Sequence, residues 1–365
     1  MTAITAFFER SDVHDEVKPY AWDGPAMEAL PQSNFVMKER ELNLTDVRTV
    51  PDFQPTIEDN GFCFLQTPSK ELSNMTGRND CKPYLEEQAR FLKKRFGTDE
   101  VWAINANVGP SQSVSAAPVA VADSAIPNAV PRFTIVWRPD WTSFVRTSRY
   151  ADPKTGRTSG SFGVLTNATA WATDNTVNSS WERISLFLTE EERERVLSGR
   201  TRARIINIWR PMVNHAEDIP FAVCDPKTNT DLEDVVAVDR ITPQAAKELA
   251  YFAWNPEHRW YWLSNQTPDE VVIMTQYDTH PPGGMFNIVP HAAFRNGAAR
   301  AGCPPRQSVE ARFIVLEPAP YEKAGPGPAG PFPEDPRKQP WKDFVNPPKP
   351  EPAPAPTADN RPMYF

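Results

Sequence analysis

From Ser308 to Leu316 the residues Val309, Ala311, Phe313 and Val315 alternate with Glu310, Arg312 and Ile314. A period of two fits a strand with two unlike faces and excludes a helix here. This strand constrains the rest of the chain. Arg306, Ser308 and Arg312 fall at its mouth or on its outer row. Upstream, His291 sits between Val289 and Phe294 in a short apolar run, so its imidazole can point into the same cavity as an arginine from the next strand. A core histidine held by hydrogen bonds would leave the same local pattern.

With 365 residues, 40% of them apolar, the chain can build one large β-rich domain. No stretch approaches the roughly 18 uninterrupted apolar residues of a membrane span, and Met1 to Glu16 lacks a signal pattern. The expectation is a cytoplasmic protein with no membrane partner. A net charge of -8, with acids interleaved among the basic residues, argues against nucleic acid. Cys63, Cys81, Cys224 and Cys303 show no metal-ligand spacing and read as reduced.

Residues 1–44 are polar, with Pro19, Pro25 and Pro31, and read as an arm. Two strands are expected within 47–66. Leu85, Ala89, Leu92 and Phe96 form one stripe of a helix over 81–96, with Pro83 in its first turn and Gly97 at its end. A strand follows over 101–107, then an Ala/Pro/Ser-rich loop over 111–131 that could act as a lid. Extended segments are expected over 133–137 and 143–149. Thr189 and Glu192 make a capping box for a helix to Ser198. A strand over 204–210, a capped helix over 242–251, and strands over 254–263 and 271–277 complete the body. The Pro-rich residues 318–365 read as a solvent-exposed tail. The predicted fold is mainly β with bracing helices, one domain over 45–317.

Several ordered phrases carry a family resemblance: LTDVRTVPDF, DNGFCFLQTPS, NIWRPMVNHAEDIPFAVCD, YFAWNPEHRWYWLSNQTPDEVVIMTQYDTH and PHAAFRNGAARAGCPPRQSVEARFIVLE. In sequence and order they resemble the fungal hydroxylase/desaturase family related to gibberellin desaturase and the cephem methoxylase accessory chain. The resemblance implies a double-stranded β-helix (jelly-roll, cupin-like) core. It also implies iron and 2-oxoglutarate chemistry, with His291 as the last ligand of a 2-His-1-carboxylate triad, and Arg306 and Ser308 as anchors for the co-substrate carboxylate.

The same resemblance places a His-x-Asp pair on an early strand, where this chain reads SFVRTSRYADP, with Arg146 at the histidine position and Ser148 at the aspartate position. An arginine about 4 Å from a dication costs about 8 kcal/mol at an effective dielectric of about 20. Of the five histidines, His14 lies in the polar arm, and of the rest only His215 has a carboxylate at the triad spacing, Glu217, so the fallback metal set is His291 with those two. The sequence therefore favours an enzyme with no metal or cofactor: a secondary-metabolite cyclase, isomerase or lyase. In it His291, Arg146 and Arg306 are catalytic, and Ser308, Arg312, Trp209, Arg210, Trp260 and Tyr261 bind a small organic substrate. The alternatives are an Fe(II) and 2-oxoglutarate hydroxylase or desaturase, and a non-catalytic ligand-binding or accessory chain. A homo-oligomer is left open.

Overall fold

Among the described residues, two five-stranded sheets form the body of the protein. The first has the order β4 (Phe62–Gln66), β13 (Glu270–Asp278), β8 (Thr201–Val213), β15 (Gln307–Pro318) and β5 (Val101–Pro110), every neighbour antiparallel. The second runs β1 (Thr2–Glu9), β3 (Val36–Asp46), β12 (Trp260–Trp262), β9 (Phe221–Cys224) and β14 (His291–Ala293). A four-stranded sheet holds β2 (Tyr20–Trp22), β10 (Val235–Thr242), β11 (Ala245–Phe252) and β7 (Ala172–Thr173); β16 (Met363–Tyr364) pairs with β6 (Val136–Trp137). The helices are α1 (Val13–Glu16), α2 (Ile57–Asn60), α3 (Lys82–Phe96), α4 (Val177–Ser185) and α5 (Glu190–Leu197). This computed structural model describes residues 2–24, 28–75, 80–110, 136–137, 172–173, 175–228, 234–243, 245–281, 288–320, 335–344 and 363–364. The architecture is the expected double-stranded β-helix core braced by helices.

Alternation along β15 divides its neighbours into two environments. Val309, Ala311, Phe313 and Val315 pack with Ile206 and Ile208 of β8 and with Tyr84, Leu85 and Leu92 of α3. Each large apolar side chain so enclosed contributes about 1.5–3 kcal/mol. Helix α3 presents that stripe because Pro83 starts it and Gly97, at φ 66°, stops it in the left-handed region that glycine tolerates. On the other face, Trp209 joins Phe221, Val223, Met274 and Val289 between the two main sheets.

Several expectations need correction. Within 47–66 only β4 is a strand, Val47–Thr49 and Ile57–Asn60 being helical turns, and the strand expected over 254–263 is confined to β12. Residues 242–251 are not a helix: β10 and β11 form a hairpin from Val235↔Phe252 to Thr242↔Ala245. Thr242 Oγ1 closes the turn, accepting from Ala245 N and donating to Ala245 O, both at 3.1 Å. Pairing buries Leu249 and Tyr251 beside Phe8 and Val238, and this burial overrides the helix propensity of the local residues.

Residues 1–44 are not an irregular arm either. They supply β1, β2 and β3, and Ala3, Phe7 and Leu42 cover the far side of the second sheet. The tail, finally, is partly docked: Lys338 N donates to Glu16 O at 2.8 Å, and the buried Trp341 donates Nε1–H to Asp239 Oδ2 at 3.0 Å. The expected lid over 111–131 and the segment over 143–149, with Arg146 and Ser148, lie outside the described residues.

Candidate active site

Register places a row of polar side chains on the inward face of the first sheet. Glu310 lies opposite Trp209 on β8 and Asn107 on β5, and Arg312 opposite Asn207 and Asn105. Cross-strand partners share a face, so these residues converge. Glu310 accepts hydrogen bonds from Asn207 Nδ2 at 2.9 Å and Arg312 Nη2 at 2.8 Å. Arg312 also reaches Asn105 Oδ1 at 3.5 Å. Arg312 is 3% exposed, which corrects its expected place on an outer row: the row faces the interior.

His291 enters from β14, paired with Val223 of β9. Its Nδ1 lies 3.0 Å from Val289 O, and its ring is 5.4 Å from that of Phe221. A carbonyl only accepts, so Nδ1 carries the proton of the neutral ring and Nε2 keeps its lone pair. Nε2 stands 3.6 Å from Glu310 Oε1. A bulge between Thr275 and Tyr277 on β13 turns Gln276 toward this point, its Nε2 at 3.1 Å from Val289 O and 3.4 Å from His291 Nδ1.

Arg306 arrives just before β15. Its backbone N donates to the Asp218 carboxylate at 3.0 Å, Nη1 donates to Ile219 O at 2.9 Å, and the guanidinium lies 5.6 Å over the ring of Trp209. Trp209 in turn stacks on Phe221 at 4.7 Å, so Arg306 and His291 flank one pair of rings. Burial lowers the Arg306 pKa to about 10, against the pull of Asp218 and Glu310, and the group stays cationic at neutral pH. Its Nε is buried and makes no hydrogen bond. Ser308, also buried, follows on β15 opposite Pro211 and Gly109.

Other expected site residues lie elsewhere. Arg210 points to the α3 side, where Nη1 donates to Thr67 O at 2.9 Å and Pro268 O at 3.1 Å, and Nη2 to Gln88 Oε1 at 3.1 Å. Strand alternation separates it from Trp209. Trp260 faces away from the inner row, edge-on to Phe7 at 6.4 Å, while its neighbour Tyr261 faces inward and stacks on Phe53 at 4.3 Å. His215 is exposed, and Glu217 is clamped by Arg300 through N, Nε and Nη2 at 2.7–3.0 Å. The fallback set of His291, His215 and Glu217 is therefore not assembled. Among the described residues no group of three His, Cys, Asp or Glu gathers as a metal site.

Sequence reasoning passed over Glu310, Asn207, Gln276 and Phe221 as site residues. Asn207 carried a signal: an amide in the run RIINIWR needs a partner if the strand is buried. Gln276 carried none, because only the bulge aims it inward.

The residues present fit part of what an iron and 2-oxoglutarate site requires. An enclosed guanidinium with an orphaned Nε suits a carboxylate. An imidazole whose Nδ1 is engaged by a carbonyl is oriented to ligate through Nε2. The positions matching the other two ligands, Arg146 and Ser148, lie outside the described residues.

Comparison with known proteins bears out the resemblance to fungal hydroxylases and desaturases. The oxidoreductase/YMDC permease-like domain matches residues 147–316. Hydroxylase/desaturase efuI of Hormonema carpetanum is 36% identical over 128 residues, 32% of this chain and 42% of that protein. The Fe(II)/2-oxoglutarate-dependent dioxygenase nvfI of Aspergillus novofumigatus is 32% identical over 136 residues, 35% of this chain and 45% of that protein. The Gibberella fujikuroi gibberellin cluster GA4 desaturase is 34% identical over 116 residues, 30% of this chain and 33% of that protein. The matched stretch thus spans less than half the length of these three relatives.

A solved structure of the iron and alpha-ketoglutarate-dependent endoperoxidase NvfI superposes with a TM-score of 0.62 at 20% identity, covering 87% of this chain and 98% of that one; this shows the shared fold. The matches also overturn the expectation of a site without cofactors, since relatives among them are named as dependent on iron and 2-oxoglutarate, or on alpha-ketoglutarate. Among the described residues no helix is long and apolar enough to cross a membrane.

Proposed function

We propose that this chain, a relative of the fungal hydroxylases and desaturases, is an Fe(II) and 2-oxoglutarate-dependent oxidoreductase that tailors a small organic secondary metabolite. The observation that carries the reading is the convergence of His291 and Arg306 on the stacked pair Trp209 and Phe221. It would supply an imidazole ligand and a carboxylate anchor from adjoining sheets, and the names of the dioxygenase nvfI and the endoperoxidase NvfI support the cofactors.

When bound, iron with 2-oxoglutarate supplies the oxidising power for hydroxylation or desaturation at a C–H bond. The chain's own residues do the positioning. His291 would hold the metal through Nε2 while Val289 O fixes its tautomer. Arg306, with the Ser308 hydroxyl, would bind the far carboxylate of the co-substrate. Because Trp209 shields the guanidinium from water, that ion pair forms in a low dielectric and is stronger for it. Phe221, Val223 and Tyr261 form apolar walls that exclude water around the substrate. Arg312 and Glu310 neutralise each other inside the same row.

Calorimetric titration of 2-oxoglutarate into anaerobic protein with Mn(II) tests the reading. Binding is expected in the wild type, with Arg306→Ala weakening it at least about tenfold, as for loss of a charge-assisted contact. A wild type that does not bind 2-oxoglutarate would rule the reading out.

A further inference from the structure

Residues 335–344 dock beside the four-stranded sheet, on groups far away in sequence. Lys338 N donates to Glu16 O at 2.8 Å, Lys18 N donates to Lys338 O at 3.1 Å, and Arg337 Nη1 donates to His14 O at 3.2 Å. Arg337 otherwise binds its own neighbour Asp335, through N, Nε and Nη2 at 2.6–3.0 Å, so the segment is braced internally. The ion pair of Lys338 with Glu16 is solvent-exposed at 3.7 Å and adds little. Trp341 is the one buried side chain among the described residues of this segment. It fills a socket of Tyr20, Trp22, Leu30 and Ile241 and donates Nε1–H to Asp239 Oδ2 at 3.0 Å. A segment held by one anchor and a few bonds to backbone can open while the sheets beneath stay folded.

What the anchor holds reaches further. The other oxygen of Asp239 accepts from Lys18 Nζ at 2.6 Å, and the same ammonium donates to Glu248 Oε2 on β11 at 2.6 Å. Glu248 Oε1 in turn accepts from Thr176 Oγ1, the N-cap of α4. Lys18 is 5% exposed, and an ammonium so enclosed depends on keeping its carboxylates. It joins residues 14–22 to both strands of the β10–β11 hairpin and to α4. On its far edge the hairpin carries β7, paired as Ala250↔Thr173 and Tyr251↔Ala172, where the chain returns from the stretch that holds Arg146 and Ser148. We propose that residues 335–344 are a releasable clamp, anchored by Trp341, that fixes residues 14–22 and, through Lys18, the hairpin on which that stretch returns. Release loosens this side of the molecule and leaves the core strands β8, β13 and β15 in place.

Hydrogen exchange of the full chain, read by mass spectrometry, tests the clamp. Trp341→Ala is expected to speed exchange about tenfold or more over 14–22 and 335–344 and about threefold or more over β10 and β11, with β8, β13 and β15 within about twofold of wild type. No change over 14–22 overturns the proposal, since the segment then holds nothing. Acceleration that stops short of β10 and β11 breaks the link through Lys18 and overturns it as well. Equal acceleration in β8, β13 and β15 makes Trp341 part of the common core, and the clamp is not releasable. Should Trp341→Ala not fold, Trp341→Phe keeps an aromatic body in the socket and removes the Nε1–H bond. Faster exchange in the same regions of that variant supports the clamp, and unchanged exchange overturns it. The readout needs neither metal nor co-substrate, so its outcome is independent of the oxidoreductase reading.

Discussion

Arg210, fully buried on β8, and Arg306, half-buried just before β15, both lie over an aromatic ring, and they differ in how many of their donors are engaged. Arg210, on the α3 side, gives hydrogen bonds to two backbone carbonyls and to Gln88, covers Tyr84 and likewise leaves Nε without a hydrogen bond. Arg306, on the side of the second sheet, gives one side-chain bond to Ile219 O, covers Trp209 and leaves Nε without a partner. A buried polar group is stabilising when its partners are all in place and costly when they are not. With three side-chain hydrogen bonds against one, the helix-facing guanidinium is the more firmly tied into the fold, and the inward one keeps more of its donors for a ligand. The same division runs through β15, where Phe313 faces α3 and Arg312 lies in the inward row with Glu310.

Substitutions on the two sides should separate stability from binding. Phe313, fully buried in the helix-facing core, has the largest expected effect: Phe313→Ala should lower unfolding free energy by about 3–5 kcal/mol in urea titration. Arg210→Ala comes next, about 2–4 kcal/mol, since it strands two carbonyls and an amide. By contrast, Arg306→Ala should change stability by less than about 1 kcal/mol while weakening 2-oxoglutarate binding at least about tenfold. If Arg306→Ala unfolds the protein as readily as Arg210→Ala, the division between the faces is wrong.

The smallest effect is a pH dependence set outside both faces. His258 donates Nε2–H to Asp234 Oδ2 at 3.0 Å, and burial holds its pKa below the usual histidine range, with Asp234 opposing. The unfolded chain then takes up the proton more readily than the folded one. Stability from this group is present above about pH 6.5 and is lost as pH falls through the lower folded-state value. Urea midpoints measured from pH 8 to 5 should fall in this window, and His258→Gln should flatten the slope. An unchanged slope in that variant would assign the dependence to other groups.

Much of the scaffold was legible because its signals are local. The α3 stripe, the Thr189–Glu192 capping box and the alternation of β15 each depend on a few neighbouring residues, and all three appear where the pattern puts them. The β10–β11 hairpin was not legible, since the cluster that Leu249 and Tyr251 join also takes in Phe8, far away in sequence. Nor was the incorporation of β1 and β3, whose pairing partners are distant.

At the site, the inward direction of Arg312 follows from alternation, yet whether that side faced solvent or a second sheet did not. Arg210 and Trp260 were misplaced for a related reason: adjacent residues in a strand face opposite ways, and the sequence alone left open which of each pair looked inward. Trp209 and Tyr261 do; their neighbours do not.

The central claim is that the inward row of the first sheet, with His291, forms an oxidative site that consumes 2-oxoglutarate. The direct measurement is release of labelled carbon dioxide from 2-oxoglutarate labelled at its first carbon, with Fe(II) and air present. The account predicts release by the wild type and its loss in His291→Ala. No release by folded, Fe(II)-supplied wild type, or equal release by His291→Ala, would contradict it.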